Sequence, residues 1–327
     1  MISQNALLSR VQLHMPLMQL ANRIAETFRL GSVLSFELLP VGYEEVNALL
    51  TTSTGKYIVK IFSKDKSLKA IQSNVRALMA YSAGGIPVPK LFPFAHNSYL
   101  YKIPEEADTY LVVMEYFDGK RFTDISPTVK DKRLIVDIMA NIHELRFQTS
   151  TQYDAWLTIN LQKEFAEKST YLTDKQLQVI KPVVDRFSQI QFDEFQKTTT
   201  HLDLHRENVM KDAAGRYCIL DLASTDLNYT VIDIATYFAL FCTEFTQNAR
   251  ENIYMYRELL ARYTKQRTLS PYESAQLMTL IQATFASNLL IPAYLIASGT
   301  DENPAQTLYY RSMGEQGLEL FKDIRTM

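Results

Sequence analysis

Cysteine is nearly absent from this chain of 327 residues, which contains only Cys218 and Cys242. Two cysteines cannot form a disulfide framework, and such low usage is typical of a reducing compartment, so we expect a cytoplasmic location. Charge of one sign is also lacking, because 34 basic residues face 36 acidic ones and the net charge is −2. Without a basic field, we expect no nucleic-acid partner.

Long uninterrupted apolar runs are missing as well. The amino-terminal segment has apolar residues at helical spacing, but Arg10, His14, Arg23 and Glu26 interrupt it, which is not the pattern of a signal peptide. The stretch from Ser274 to Thr300 has no charged residue, yet several amides and a proline interrupt it. This pattern favours a buried helix over a membrane span, and we expect no membrane partner.

The overall composition is that of an ordinary folded protein. Hydrophobic residues make up 47% of the chain and charged residues 21%, which argues against disorder. The length is sufficient for two lobes with separate cores. Neither an internal repeat nor a low-complexity linker is present, and the oligomeric state stays open.

The chemistry is concentrated in residues 201–233, HLDLHRENVMKDAAGRYCILDLASTDLNYTVID. Asp203 precedes Asn208 by five positions, and Asp221 follows thirteen positions later at the end of an apolar strand. One carboxylate can orient an attacking hydroxyl and accept its proton, while an amide and a second carboxylate can hold Mg²⁺ against nucleotide phosphates. The spacing of the first acid and the amide is that of the protein-kinase catalytic loop. The pattern predicts metal-assisted phosphoryl transfer.

This segment resembles the aminoglycoside phosphotransferase/choline kinase family, which are small-molecule kinases with a protein-kinase-like fold. The family signature is H-x-D-x-H-x-x-N, followed by an apolar strand that ends in Asp and later by Asp-Ile-Ala at the start of a helix. The matching residues are His201, Asp203, His205, Asn208, Asp221 and Asp233. The resemblance implies an ATP-dependent kinase that uses Mg²⁺, with GTP as the alternative nucleotide.

The site residues are expected to divide into reacting and supporting groups. Asp203 is the predicted catalytic base, and the amide and second acid of the motif are the predicted Mg²⁺ ligands. His201 is expected to hold the loop through hydrogen bonds to backbone. His205 is expected to do the same or to contact the transferred phosphate. Asp233 is expected to cap amides and brace the loop from the start of a helix.

Two other interpretations of the motif stay open. Loops of His, Asp and Asn often provide only the hydrogen bonds of a turn. In a metal-dependent hydrolase, His201, Asp203 and His205 would instead ligate Zn²⁺ or iron directly. That hypothesis needs a further ligand, and the three remaining histidines are scattered along the chain.

The amino-terminal part predicts a helix capped near Gly31 and then three strands, Val33–Pro40, Val46–Thr52 and Tyr57–Phe62. Lys60 lies among apolar neighbours, where a lysine is costly unless an anion compensates it. The resemblance implies that Lys60 contacts the α- and β-phosphates of ATP. The alternative is an edge-strand lysine that faces solvent.

The next helix, predicted over residues 66–83, departs from the family pattern. Family members usually carry a glutamate there that pairs with the strand lysine, but Asn74 occupies the position and the helix contains no acid. Glu44, Glu45, an amide or the nucleotide would have to hold Lys60 instead. The turn at Gly42 has a single glycine and is a weak phosphate cradle. A catalytically degenerate, regulatory nucleotide-binding protein is therefore the second hypothesis.

Residues 110–119 predict a buried strand that runs into a turn. They resemble the family's hinge, where backbone groups of Glu115, Tyr116 and Phe117 would bind the adenine. A plain core strand explains the same residues.

The remaining sequence predicts mostly helices. Residues 131–145 place apolar side chains on one face, with His143 as a structural residue. Start signals occur at Thr173 and Ser270, and Pro182 predicts a kink. The expected fold class is α+β, a two-lobed protein-kinase-like fold with a small β-rich lobe over 1–116 and a larger α-helical lobe over 117–327.

The acceptor is expected to be a small hydroxylated molecule. Charges between residues 241 and 310 nearly balance, whereas a polycationic aminoglycoside would favour a strongly acidic surface. An amino alcohol, homoserine or a sugar fits at least as well. A set of aromatic residues would line an amine pocket or, alternatively, belong to the core. They are Tyr237, Phe238, Phe241, Phe245, Tyr254 and Tyr256.

Overall fold

The structure, a computed structural model, describes residues 4–11, 13–40, 44–104, 106, 108–150 and 153–327. The predicted turn at Gly42 lies outside these residues. The strands are β1 (Val33–Leu39), β2 (Val46–Thr52), β3 (Gly55–Ile61), β4 (Leu91–Phe92), β5 (Tyr101–Lys102), β6 (Tyr110–Glu115), β7 (Lys120–Arg121), β8 (Lys197–Thr200), β9 (Val209–Lys211), β10 (Tyr217–Ile219) and β11 (Asp226–Tyr229). The α-helices are α1 (Gln4–Ser9), α2 (Leu17–Thr27), α3 (Leu68–Ala83), α4 (Val129–Ile142), α5 (Leu161–Lys168), α6 (Asp174–Phe187), α7 (Thr230–Tyr237), α8 (Ala249–Tyr263), α9 (Pro271–Ser298) and α10 (Pro304–Leu320).

The chain groups into two compact units. The first contains residues 1–119, 148–152 and 212–223, and the second contains 120–147, 153–211 and 224–327. The first unit carries the six-stranded sheet and the second carries α4 to α10. The predicted α+β class is confirmed, while the lobe boundary after residue 116 stays a prediction.

The sheet of the first unit has the strand order β1-β2-β3-β6-β4, with β5 also paired to β6. Alternate residues of β2, β3 and β6, among them Val46 and Val59, join a core that includes residues of α2. Because neighbouring side chains point to opposite faces of a sheet, Lys60 lies on the other face. Its strand runs between β2 and β6, so the edge-strand interpretation of Lys60 is wrong.

The end of α2 differs from the prediction. Arg29, rather than Gly31, adopts the left-handed conformation that closes the helix, with φ 58°. The amides of Arg29 and Leu30 donate to carbonyls of the last turn at 3.2 and 2.8 Å, the bonds of a Schellman motif. Gly31 has another constraint, because a Cβ there would lie 2.4 Å from Oγ of Ser53.

Helix α3 begins at Leu68 with Ser67 as its N-cap and ends before Gly84, within two residues of the prediction. The Ser67 side chain accepts a hydrogen bond from the Ala70 amide, which satisfies a free donor of the first turn. Asn74 is buried, with 5% of its surface exposed. Its amide side chain forms no hydrogen bond within the described part of the chain.

Reciprocal side-chain caps start most of the longer helices in the second unit. The predicted starts at Thr173 and Ser270 are confirmed as capping boxes with Gln176 and Glu273. Pro182 lies inside α6, which continues to Phe187. The other two boxes pair Thr128 with Asp131 and Asn248 with Glu251.

Helix α9 forms the apolar centre of the second unit. By length and composition it could cross a membrane, with a mean hydropathy of 1.5 in its most apolar window. However, 78% of that window is buried inside the structure, as in the core helix of a globular protein. The predicted buried helix is therefore confirmed.

Helix α10 packs closely on α9 because two of its residues have no side chain at the contact. A Cβ at Gly314 would lie 2.6 Å from the backbone nitrogen of Leu289. A Cβ at Gly317 would lie 2.3 Å from the ring of Phe285. Neither position has space for a larger residue.

We predict that Gly314→Ala lowers the free energy of unfolding by about 2 kcal/mol, because the added methyl group overpacks the contact between the two helices. Helix propensity alone would raise it by about 1 kcal/mol. Urea unfolding shows whether the substitution lowers or raises the free energy of unfolding. Glu315→Ala on the exposed face is the control and should change stability by less than about 0.5 kcal/mol. Stabilisation by Gly314→Ala would contradict the close packing.

Candidate active site

The central motif forms a loop between β8 and β9 in the second unit. It passes through Leu202, which has a left-handed φ of 63°, and ends in a short 3₁₀ turn at Arg206–Asn208. A left-handed backbone conformation is unusual for a residue other than glycine. The surroundings of Leu202 therefore have to hold its backbone in place.

Asp233 supplies that restraint. Its two carboxylate oxygens accept hydrogen bonds from the amides of His201 and Leu202, each at 2.8 Å. It also lies 3.0 Å from Nε2 of His143, whose Nδ1 is 2.7 Å from the hydroxyl of Tyr263. All these groups are buried, so the loop amides are fixed by a carboxylate that is itself fully hydrogen-bonded.

The electrostatics of Asp233 agree with an ionised carboxylate. Burial raises the pKa of its carboxyl, but the hydrogen bond and charge interaction with His143, together with His201, outweigh burial and lower the pKa below its ordinary value. His143 was predicted to be structural, and its buried, doubly hydrogen-bonded ring confirms this.

The carboxylate of Asp203 is oriented from both sides. Nε2 of His205 lies 3.0 Å from Oδ1, and Nδ2 of Asn208 donates to Oδ2 at 2.7 Å. Nδ1 of His205 accepts from the amide of Glu207 at 3.3 Å, and its Nε2 also lies 3.1 Å from Nδ2 of Asn208. The Asp203 side chain is 37% exposed, so it is open to a substrate. His201 accepts from the Asp203 amide at 3.2 Å.

Lys60 and Asp221 meet in the first unit. Nζ of Lys60 lies 3.2 Å from Oδ1 of Asp221 and 3.7 Å from Oε2 of Glu45. Glu45 also bonds Lys66, which lies 2.9 Å from Glu44. Both lysines are therefore paired with carboxylates, as expected for lysines whose side chains are largely buried.

Charge pairing keeps Asp221 ionised. Burial raises the pKa of its carboxyl, but attraction to Lys60 and Lys66 prevails and holds that pKa well below its usual range. The residue has a left-handed φ of 52°, and its Oδ1 also accepts from the Ala223 amide at 3.3 Å.

The predicted hinge follows the end of β6 in the first unit. The amide of Glu115 donates to the Lys90 carbonyl at 2.9 Å, and the Phe117 carbonyl accepts from Gly119 at 3.0 Å. These two backbone groups are thus occupied within the protein. Binding of adenine by Glu115, Tyr116 and Phe117 stays a prediction. It would use the other backbone groups of these residues.

Sequence reasoning missed an aromatic group beside the loop that carries Asp203. The rings of Trp156 and Tyr310 lie 5.4 Å apart, and Tyr310 is 5.9 Å from the ring of His205. The Tyr310 hydroxyl bonds Glu207, which also accepts from Gln306 at 2.9 Å. The sequence offered one signal for this aromatic group, because its partner Glu207 lies within the motif itself.

Four of the six aromatic residues considered for an amine pocket belong to the core. Tyr237, Phe238, Phe241 and Tyr256 are completely buried. Their rings stack in pairs, Tyr237 on Phe241 and Phe238 on Tyr256. The pocket interpretation is wrong for these four, while Phe245 and Tyr254 are exposed.

Direct ligation of a metal by His201, Asp203 and His205 is also wrong. Across the described ranges, no group of three or more His, Cys, Asp or Glu side chains is placed to hold a metal ion. The predicted Mg²⁺ site needs less from the protein, since Mg²⁺ keeps several waters and takes one or two carboxylates plus phosphate oxygens. An ionised Asp221 fits this chemistry, and so does Asn208, whose Nδ2 is engaged by Asp203 and leaves Oδ1 for a cation.

A family model and solved structures match this chain. The model of the phosphotransferase enzyme family matches residues 35–267, more than half of the chain. No curated protein matches it in a sequence search.

Three solved kinases illustrate the shared fold. Choline kinase LicA from Streptococcus pneumoniae is 19% identical with a TM-score of 0.59, over 92% of this chain and 98% of that one. Amicoumacin kinase hAmiN, solved with AMP-PNP and Ca²⁺, is 16% identical with a TM-score of 0.66, over 93% and 94%. Ethanolamine kinase from Plasmodium vivax is 12% identical with a TM-score of 0.58, over 88% and 83%. The predicted kinase-like fold is confirmed.

We predict that Asp233→Asn lowers the free energy of unfolding by about 3 kcal/mol, because it breaks a buried, fully paired carboxylate. The folded-state pKa of Asp233 is depressed, so its contribution is present above the unfolded carboxyl pKa of 3.8 and is lost as the pH falls through the folded value. Urea unfolding between pH 3 and 7 measures both effects. Asp193→Asn, an exposed acid, should change little; equal loss in both variants would contradict the bracing role.

Proposed function

The chain belongs to the phosphotransferase enzyme family, and from this premise we propose that it transfers the γ-phosphate of ATP to a hydroxyl group of a small molecule. The observation that carries the proposal is the carboxylate of Asp203, held by His205 and Asn208 on a loop that Asp233 braces. A fixed and accessible carboxylate is what alignment of an attacking hydroxyl requires.

Asp203 acts as the base in the proposed reaction. It accepts the proton of the acceptor hydroxyl while the hydroxyl oxygen forms a bond to the γ-phosphorus. The bond from that phosphorus to the β–γ bridging oxygen breaks, and ADP leaves with the bond electrons. The contact with Nε2 of His205 fixes the direction of the carboxylate before transfer.

Asn208 and Asp221 are the proposed ligands of Mg²⁺. When bound, this ion neutralises charge on the phosphate oxygens. The chain's own part is to present the amide oxygen of Asn208 and the ionised carboxylate of Asp221.

Lys60 is the proposed contact for the α- and β-phosphates. Its pKa is raised: burial lowers it, but the charges of Asp221 and Glu45 outweigh burial. The ammonium group is therefore available to an anion on the sheet face opposite the core.

The surroundings of Asp203 support an acceptor that carries an amine. The half-buried ring of Trp156, which packs on the buried ring of Tyr310, and the carboxylate of Glu207 offer a cation an aromatic face and a negative charge. Burial, Glu207 and Asp203 raise the pKa of Tyr310 well above its ordinary value, so its hydroxyl stays protonated and donates to Glu207. Two structurally similar proteins are a choline kinase and an aminopropanol kinase. We therefore place an amino alcohol ahead of homoserine, a sugar or an aminoglycoside.

A regulatory nucleotide-binding protein is the second candidate. Asn74 favours it, because α3 offers no acid to Lys60. The intact set of Asp203, Asn208 and Asp221 supports the kinase. Nucleotide binding without phosphoryl transfer to any acceptor class would establish this second function.

We predict that Asp203→Asn reduces Mg²⁺-dependent ADP release by at least about 100-fold, because the general base is lost. The assay uses ATP with pooled amino alcohols, homoserine, sugars and aminoglycosides. The thermal shift caused by AMP-PNP should persist in the variant, and Asp193→Asn should retain activity. ADP release that is independent of the acceptor pool, or equal in Asp203→Asn, would count against the mechanism.

For the acceptor that the pool reveals, we predict that Trp156→Leu raises its KM about tenfold and leaves the KM for ATP unchanged, because a cation loses contact with the ring. Tyr171→Leu, which removes an exposed aromatic residue from the same unit, is the control. An uncharged acceptor, or an unchanged KM, would show that the ring pair does not recognise an amine.

A further inference from the structure

Lys60 has acidic partners even though α3 has none. The helix from Leu68 to Ala83 contains no aspartate or glutamate. Lys60 is nevertheless only 7% exposed, and its Nζ lies 3.2 Å from Oδ1 of Asp221 and 3.7 Å from Oε2 of Glu45. A lysine in such a place has to be paired.

Sheet register brings Glu45 to this lysine. Asn47 of β2 lies opposite Lys60 of β3, so the two side chains share a face. Glu45 is two residues before Asn47, next to the start of β2, and its side chain points to the same face because orientation alternates along an extended chain. Diagonal neighbours on one face are within reach of long side chains. The observed separation of 3.7 Å between Nζ and Oε2 agrees with this geometry.

Glu45 is also fixed from its other side. Nζ of Lys66 bonds Oε1 of Glu45, while Oε2 faces Lys60. Lys66 is itself held in a turn, because its amide donates to the Ser63 carbonyl at 3.2 Å. Glu45 is therefore clamped between two lysines, and its side chain is only 9% exposed.

The neighbouring Glu44 is different. It reaches Lys66 alone among the ion pairs of the described residues, and its side chain is 60% exposed. Of the two consecutive acids, Glu45 is thus the one that is buried against Lys60.

We infer that Glu45 is a positioning residue for Lys60, and that it does from the start of β2 what an acid on α3 would otherwise do. This inference rests on the proposed function, in which Lys60 contacts the nucleotide phosphates. Asp221 cannot take the same role alone, because it is also a proposed Mg²⁺ ligand. Glu45 is not a proposed metal ligand, and it keeps the ammonium group of Lys60 directed at the nucleotide site.

The experiment compares Glu45→Gln with Glu44→Gln, since each removes one negative charge at adjacent positions. Titration calorimetry with AMP-PNP and Mg²⁺ measures binding without an acceptor. We expect Glu45→Gln to weaken AMP-PNP binding about tenfold, in line with loss of a partner that orients a binding group. Glu44→Gln should change it by less than about twofold, as for an exposed ion pair. In turnover assays, the KM for ATP should rise while the KM for the acceptor stays constant.

A double variant tests whether Glu45 acts through Lys60. Lys60→Met alone should weaken AMP-PNP binding, and adding Glu45→Gln should weaken it no further. Additive losses would overturn the inference, because they would mean that Glu45 acts on the nucleotide independently of Lys60. Equal affinity of Glu45→Gln and Glu44→Gln would overturn it as well.

Stability is controlled by thermal unfolding of each variant without nucleotide. If Glu45→Gln does not fold, Glu45→Asp decides, because the shorter acid keeps the charge and should give a smaller loss of affinity than Lys60→Met. A loss of affinity in Glu45→Asp as large as that in Lys60→Met would then overturn the inference. If the native chain binds no AMP-PNP, the proposed function fails and the inference fails with it. Binding by the native chain with no effect at Glu45 overturns the inference alone.

Discussion

The carboxylate of Asp233 is the interaction on which the loop of the second unit depends. A buried carboxylate is stable only when its oxygens are fully paired, and here the amides of His201 and Leu202 and the ring of His143 supply the partners. The same bonds hold Leu202 in a left-handed conformation that it would otherwise leave. Because the loop is fixed at this point, the orientation of the next residue, Asp203, is fixed as well.

A parallel constraint governs the first unit. A lysine placed in a central strand must meet an anion, and the sheet register together with the position of Asp221 provides two. Both units thus contain a buried charge whose partners come from distant parts of the sequence. In each case the requirement for pairing restrains residues that the proposed reaction uses.

Much of this was predictable from local sequence. The first three strands, the extent of α3 and the capping boxes at Thr173 and Ser270 follow from alternation, turn residues and reciprocal capping, which act over a few positions. Predictions failed where a non-local contact decided. Four aromatic residues considered for a pocket were packed into the core.

The sequence by itself determined the family, the fold class and the order of Asp203, Asn208 and Asp221, because a short motif fixes both the side chains and their spacing. Only the tertiary structure decided how Lys60 is paired and which rings lie beside the loop that carries Asp203. Glu45, Lys60 and Asp221 are brought together by strand pairing and by the return of residues 212–223 to the first unit. Trp156 and Tyr310 likewise meet across 154 positions. Such contacts depend on the folded path of the chain, which no local pattern encodes.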